Sequence, residues 1–224
     1  MKSNKLAPAI GALLLSGSSV QALADISANI GAVSNYLWRG ISQTADGAAI
    51  QGGVDYSHDS GFSAGTWLSN VDGGTELDLY LGFDGQVGDF NWGVNTIYYA
   101  YPDIDDADFW EIGGSAGYKF ATVGLQYTID GQADSPSRFT EGDIYYYGSL
   151  SFDLTDGFGV GATLGHYDFD DFGSDGDYTH WQLSLSKDAG DFGSFSLNYD
   201  QTDGDEEDGF DEDAKFWVGW NKEF

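Results

Sequence analysis

The feature that most constrains this chain is an alternation of period two that recurs along nearly its whole length. Leu77, Leu79, Leu81 and Phe83 alternate with Glu76, Asp78, Tyr80, Gly82 and Asp84. Val123, Leu125, Tyr127 and Ile129 alternate with Gly124, Gln126, Thr128 and Asp130, and Trp181, Leu183 and Leu185 with His180, Gln182, Ser184 and Ser186. Successive side chains of a strand point to opposite faces, so each stretch predicts a strand with one apolar and one polar face. Beyond the leader no helical stripe competes. Twelve such stretches are expected, at about 26–40, 48–58, 61–71, 75–86, 89–101, 108–119, 121–130, 143–154, 158–168, 177–187, 191–201 and 213–224. Two alternate imperfectly. Val33 and Leu37 fall on the polar face of the first, and tyrosines occupy both faces of the fifth.

The connections carry a second pattern. Those on one side are short, such as His58-Asp59-Ser60 and Thr155-Asp156-Gly157, while several on the other are long and acidic. PDIDDAD, DGQADSPSRFTEGD, DFDDFGSDGD and DGDEEDGFDED hold 21 of the 37 acids. An even strand number, short turns on one rim and long loops on the other predict an all-β fold, an up-and-down antiparallel barrel of the transmembrane type.

A soluble barrel with its apolar face inward would alternate in the same way. Three features favour lipid outside. Residues 1–24 read as a cleaved signal peptide, with Lys2 and Lys5 before the apolar run Leu6–Leu15 and the small-x-small site Ala22-Leu23-Ala24; the barrel is then 25–224. The loops are asymmetric. The last apolar row, Phe216, Val218, Trp220 and Phe224, ends on a terminal aromatic and resembles a barrel-assembly signal. A closed barrel is the β solution in hydrocarbon, where every backbone group must pair internally. Localisation in the bacterial outer membrane of a Gram-negative cell follows, with lipid, lipopolysaccharide and the barrel-assembly machinery as partners.

Charge narrows the function. The chain carries 37 acidic and 8 basic residues, a net −29, and the leader removes two of those bases. Nucleic acid is excluded as a partner, because its phosphates call for Lys and Arg. There is no cysteine, hence no disulfide framework. Disorder is excluded by the patterned distribution of 36 aromatics and 33 glycines.

VSNYLWRGISQT (Val33–Thr44), AIQGGVDYSH (Ala49–His58) and GFSAGTWLSNVD (Gly61–Asp72) resemble the TorF-type putative porin family of proteobacteria. The resemblance covers about the first third of the mature chain; Ala48 departs from it where many relatives are expected to have proline. It implies an outer-membrane porin-like barrel, with no established substrate and no catalytic residues.

Arg39 is one of two arginines. Tyr36 and Trp38 share the parity of Ala28, Ile30 and Ala32, which predicts that they face lipid in an interfacial aromatic belt. Arg39 then points into the barrel mouth, toward Asp55, Glu76 or Asp78, where a guanidinium fork holds carboxylates bidentately. The alternative is an interfacial arginine snorkelling to water.

The polar face is rich in small residues, including Ser63, Gly65, Ser69, Gly82, Gly93, Gly161 and Gly165. The charged candidates for the lumen are Arg39, Asp55, Glu76, Asp78, Asp84, Glu111, Lys119, Asp130, Asp153, Lys187, Lys215 and Glu223, in which acids outnumber bases. Trp67, Tyr80, Tyr145 and Tyr147 share the inward parity, either stacking on flat solutes or stiffening a narrow lumen. The expected function is passive diffusion of small hydrophilic solutes through a weakly cation-preferring channel. The alternative is a non-conducting structural barrel whose acidic loops bind divalent cations or partners.

No cofactor or metal site is expected. DGDEEDGFDED, read from Asp203, places Asp208 where a calcium loop requires glycine and Ala214 where it requires the bidentate acid. Catalysis is not expected either. His58, Asp59 and Ser60 are neighbours in one tight turn and cannot converge as a triad, and His166 and His180 have opposite parities.

Overall fold

The computed structural model describes residues 25–173, 176–204 and 210–224. The expected leader, residues 1–24, and parts of two acidic loops, 174–175 and 205–209, lie outside the described residues. The strands are β1 (Asp25–Val33), β2 (Leu37–Trp38), β3 (Ile41–Ser42), β4 (Ala49–Ser57), β5 (Phe62–Val71), β6 (Gly74–Val87) and β7 (Phe90–Ala100). They continue as β8 (Phe109–Tyr118), β9 (Ala121–Gly131), β10 (Ile144–Asp153), β11 (Phe158–Asp168), β12 (Tyr178–Asp188), β13 (Ser194–Thr202) and β14 (Lys215–Glu223).

Twelve of these, β1 and β4 to β14, form a closed antiparallel barrel in which each strand pairs with its chain neighbour. The ring closes between β1 and β14, with Asn29 opposite Glu223 and Val33 opposite Gly219. The all-β, twelve-strand barrel expected from the alternation is the fold observed. β2 and β3 form a separate two-stranded sheet.

The alternation maps onto the two faces. Leu79 and Leu81 of β6, Leu183 of β12 and Val218 of β14 are exposed on the outside. Glu76, Asp78 and Tyr80 of β6, Thr163 of β11, and His180 and Gln182 of β12 are buried inside. Leu183 stands opposite Ala162 and Tyr199, so one apolar row crosses several strands. A water-exposed belt of this kind would be costly at about 25 cal/mol per Å², whereas acyl chains carry no such penalty.

The interior has two unlike halves. Toward the short-turn rim, Ser115, Gly124, Gly161, Ser184 and Ser196 are half-buried and Asp84 is exposed, so this half is lined by small side chains. Toward the long-loop rim, Tyr99, Phe109, Tyr167, Phe169, Tyr178 and Phe210 are buried in one aromatic cluster. Several inward rings lie flat across a glycine of the next strand. A Cβ on Gly65 would sit 2.4 Å from Cε2 of Tyr80, and one on Gly124 would sit 2.7 Å from the ring of Tyr147.

One bulge alters a face. Between β8 and β9 the register shifts at Trp110/Glu111, so that Thr128 faces Glu111 while Asp130 faces Trp110. Trp110 is on the outer surface, and Asp130 is exposed beside it. The expected inward placement of Asp130 is therefore corrected: one extra residue, Ile129, turns it outward.

Changing Leu183 to Arg is expected to destabilise folding into vesicles by about 2–4 kcal/mol. Ser184→Arg, one residue along but facing the lumen, should cost much less. Urea titrations of both variants refolded into lipid measure the difference.

Candidate functional site

The first expected strand, 26–40, ends early. β1 stops at Val33, and the next residues turn into the barrel and form the hairpin β2–β3. Asn35 anchors the turn: its side-chain amide donates to Asp46 Oδ1 at 2.7 Å, and its carbonyl accepts from the Ser42 hydroxyl at 2.7 Å. Leu37 pairs with Ser42 and Trp38 with Ile41, leaving Arg39-Gly40 as a two-residue loop. Both have positive φ, 49° and 86°, as a type I′ turn requires. The tip also fits only glycine at position 40, since a Cβ there would lie 2.6 Å from Cβ of His180.

This overturns the expectation that Tyr36 and Trp38 face lipid. Both are buried inside the barrel. Trp38 meets Tyr99, Phe109 and Phe139 edge-on, with ring centroids 5.6, 6.0 and 5.5 Å away, and Tyr36 meets Trp67 at 5.4 Å. The rings satisfy the same burial tendency that suggested a membrane belt, against protein instead of headgroups.

The hairpin carries Arg39 across the lumen to β8, away from the partners expected for it. Nη1 donates to Glu111 Oε1 at 2.7 Å and Nη2 to Oε2 at 2.6 Å. The side chains are 9% and 0% exposed. Glu111 also accepts from the hydroxyls of Tyr99 at 3.2 Å and Tyr167 at 3.1 Å. The guanidinium carbon lies 4.1 Å from the Trp38 ring centre and 4.2 Å from that of Tyr145. The hydroxyl of Tyr178 donates to the carbonyl of Arg39 at 2.9 Å. A buried carboxylate thus holds the hairpin tip through a bidentate bond, with cation–π contacts covering the cation.

The remaining candidates separate by height. Asp55 accepts from the Tyr80 hydroxyl and, at 3.4 Å, from Asn29 Nδ2. Glu76 and Asp78 are buried on the wall, 1% and 8% exposed, and Asp84 lies inward against Gly93. Tyr145 and Tyr147 stack at 5.8 Å on the opposite wall. Lys215 is at the long-loop rim, bridged to Asp46 at 2.9 Å and to Asp211. Asp153 and Glu223 are exposed near the short-turn rim.

Two lysines are not in the lumen. Lys119 occupies the β8–β9 turn at φ 57°, near Asp89 and over Tyr118. Lys187 follows the outward parity of Leu183 and Leu185, stands opposite Phe158 and Phe195, and caps the Asp156 carbonyl. A long stem over an apolar rim with the ammonium at water explains both positions.

Phe216, Val218 and Phe224 project outward, and Trp220 Nε1 donates to the Phe192 carbonyl at 2.7 Å. His166 and His180 are on opposite faces: the first bonds Thr179 at 3.0 Å, the second Tyr145 at 2.9 Å inside the barrel.

Sequence reasoning passed over Tyr99, Phe109, Phe139, Tyr167, Tyr178 and the Gln182–Asp200–Trp217 network, in which Asp200 accepts from Gln182 at 2.9 Å and Trp217 at 2.6 Å. The signal available for the hairpin was Arg-Gly between short apolar pairs. It also passed over Asp143, which accepts backbone N–H groups of Phe139 at 2.7 Å, Thr140 at 3.1 Å and Asp170 at 2.9 Å, tying two long loops together. Burial pushes its carboxyl up to about 6, against those three donors. Asp171 nearby is shifted the other way by the Ser137 N–H and the Ser135 hydroxyl.

Residues 18–222 match a family described as a bacterial protein of unknown function, Gcw_chp. The chain belongs to that family. No curated protein matches it in sequence. This Gcw_chp member is similar in structure to the KdgM porin, with a TM-score of 0.59 at 9% identity, over 88% of this chain and 98% of that one. A second structure, the KdgM porin in complex with disordered oligogalacturonate, gives 0.59 at 8% identity over 90% and 99%. The outer membrane protein OprD from Pseudomonas aeruginosa gives 0.47 at 13% identity over 80% and 59%. At these identities the Gcw_chp chain and the KdgM porin share a fold.

Removing Arg39 leaves Glu111 buried without its cation, which destabilises the seated hairpin by about 3–5 kcal/mol. Arg39→Ala should therefore accelerate protease cleavage within residues 34–48 by about a hundredfold or more, and Arg39→Lys should not restore protection, since lysine lacks the planar fork. The Asp143 tie should respond to pH in the opposite sense to an ordinary salt bridge. The closed loops hold its proton up to about pH 6 and the open chain releases it near 3.8, so closure weakens as pH rises through that window. Hydrogen exchange at Phe139 and Thr140, corrected for intrinsic rates, should speed up from pH 4 to 6, and Asp143→Asn should flatten the profile.

Proposed function

We propose that the protein is an outer-membrane porin-like channel for passive diffusion of small hydrophilic solutes, weakly cation-preferring, with the hairpin β2–β3 setting its narrowest section. It corresponds to the TorF-type porins that its N-terminal third resembles. The leader is removed on export, and the outward row ending at Phe224 serves the assembly machinery. Lipid and lipopolysaccharide surround the barrel, and divalent cations gather at its acidic loops. The reading assigns no catalytic step to any residue.

The observation that carries it is the balance of charge inside. Arg39 is spent on Glu111. Asp55, Glu76, Asp78, Asp84 and Asp200 remain on the wall, and among the described residues none of them forms an ion pair. Acids that ionise in a low-dielectric passage attract cations and repel anions. The small-residue half supplies room for hydrated solutes.

One observation favours the second reading, a non-conducting structural barrel: the half toward the long loops is filled by the aromatic cluster around Trp38. Purified protein in a planar bilayer separates the two. Stepwise conductance with a reversal potential shifted toward the cation gradient is expected. The Arg39→Ala, Glu111→Gln double variant, which unlatches the hairpin without leaving a bare charge, should raise unit conductance about twofold or more. A correctly folded barrel silent in both forms would establish the structural reading.

A further inference from the structure

The Arg39 seat shows how this protein holds an organic cation: a buried carboxylate takes the charge and aromatic faces enclose it. A second group on the other side of the hairpin has the same chemistry without a cation. Glu76 and Asp78 project inward from β6, two residues apart. Asp78 stands between Trp67 of β5 and Tyr99 of β7 in the sheet register, and Tyr101 donates to Glu76 Oε1 at 3.2 Å. Tyr36 of the hairpin stem covers this corner, edge-on to Trp67 and close to both carboxylates.

Each of the two acids keeps one oxygen that the protein leaves without a donor. Glu76 Oε2 and Asp78 Oδ1 are buried with no hydrogen-bond partner, although the residues are only 1% and 8% exposed. Glu111, by comparison, has donors on both oxygens. A buried carboxylate oxygen without a donor is among the costliest arrangements a fold can retain, and one donor-bearing cation bridging the pair would remove the cost. Among the described residues no three metal-ligating side chains converge. Four aromatic rings around two carboxylates suit an alkylammonium or guanidinium group better than a hard metal ion, which requires six or more oxygens.

We propose that the Glu76–Asp78 corner, walled by Tyr36, Trp67, Tyr99 and Tyr101, binds small organic cations bearing an ammonium or guanidinium group. Such solutes are the class that the channel selects. This second statement rests on the channel reading; the binding site itself does not. Because Tyr36 belongs to the hairpin, ligand entry displaces the stem, and binding is coupled to the position of Arg39.

Titration calorimetry of the detergent-folded barrel with agmatine tests the site without requiring conduction. Saturable binding is expected, weakened about tenfold or more in Glu76→Gln, Asp78→Asn and unchanged in Asp59→Asn, which alters only an exposed short turn. Heat-modifiable migration in gels verifies that the double variant folds. Tyr36→Phe, which keeps the ring, provides a second variant and should retain binding within about threefold. Absence of saturable binding, binding indifferent to the two acids, or displacement of agmatine by equimolar calcium would each overturn the proposal. In bilayers, agmatine should block potassium current through the wild type. A conducting channel that agmatine neither blocks nor binds would sink the site alone, and a silent barrel that binds it would sink the channel alone.

Discussion

Closure of the sheet between β1 and β14 is the constraint on which the rest depends. Once the twelfth strand has returned to the first, no edge remains to be covered, and the strand faces are sorted into an outside and an inside of fixed cross-section. The outer rows, from Leu79 round to Val218, are largely apolar, as hydrocarbon would require, and most groups that need a polar partner are left to the interior. The hairpin, the acid wall and the aromatic cluster are three ways of using that limited space.

Arginine inside a barrel this acidic is economical. The guanidinium binds one carboxylate through two parallel bonds and lies against ring faces, adding a buried latch to a fifteen-residue connection that the Asn35 bonds, the packed Trp38 ring and the Tyr178 hydroxyl also hold. Its pairing with Glu111 also means that it is not the partner of Glu76 or Asp78 on β6. One acid is thus assigned to architecture, and those two acids of β6 have no base as a partner among the described residues.

The barrel was legible because period two survives nearly everywhere, and ten of the twelve expected segments agree with the observed strands to within two residues at each end. The site was less legible, for identifiable reasons. Glu111 and Glu76 were recognised as inward from parity alone, yet the pairing of Arg39 with Glu111 joins residues 72 positions apart through a chain reversal that parity does not encode. Tyr36 and Trp38 were misplaced because an amphipathic ring fits an interfacial belt and a lumen equally well, and only the hydrogen bonds of Asn35 reveal the turn. Asp130 was lost to one inserted residue, Ile129, since a bulge inverts every later assignment on its strand. Lys187 was misassigned against its own parity, which already placed it with Leu183 and Leu185.

The rings that recline over glycines have a consequence for how calibre evolves. Tyr80 and Tyr147 lie sideways because Gly65 and Gly124 on adjoining strands offer them a flat bed. Give either glycine a methyl group and its tenant must stand upright, toward the axis. The bore of such a tube can therefore be retuned from glycines that lie beneath the rings, leaving the rings themselves unaltered.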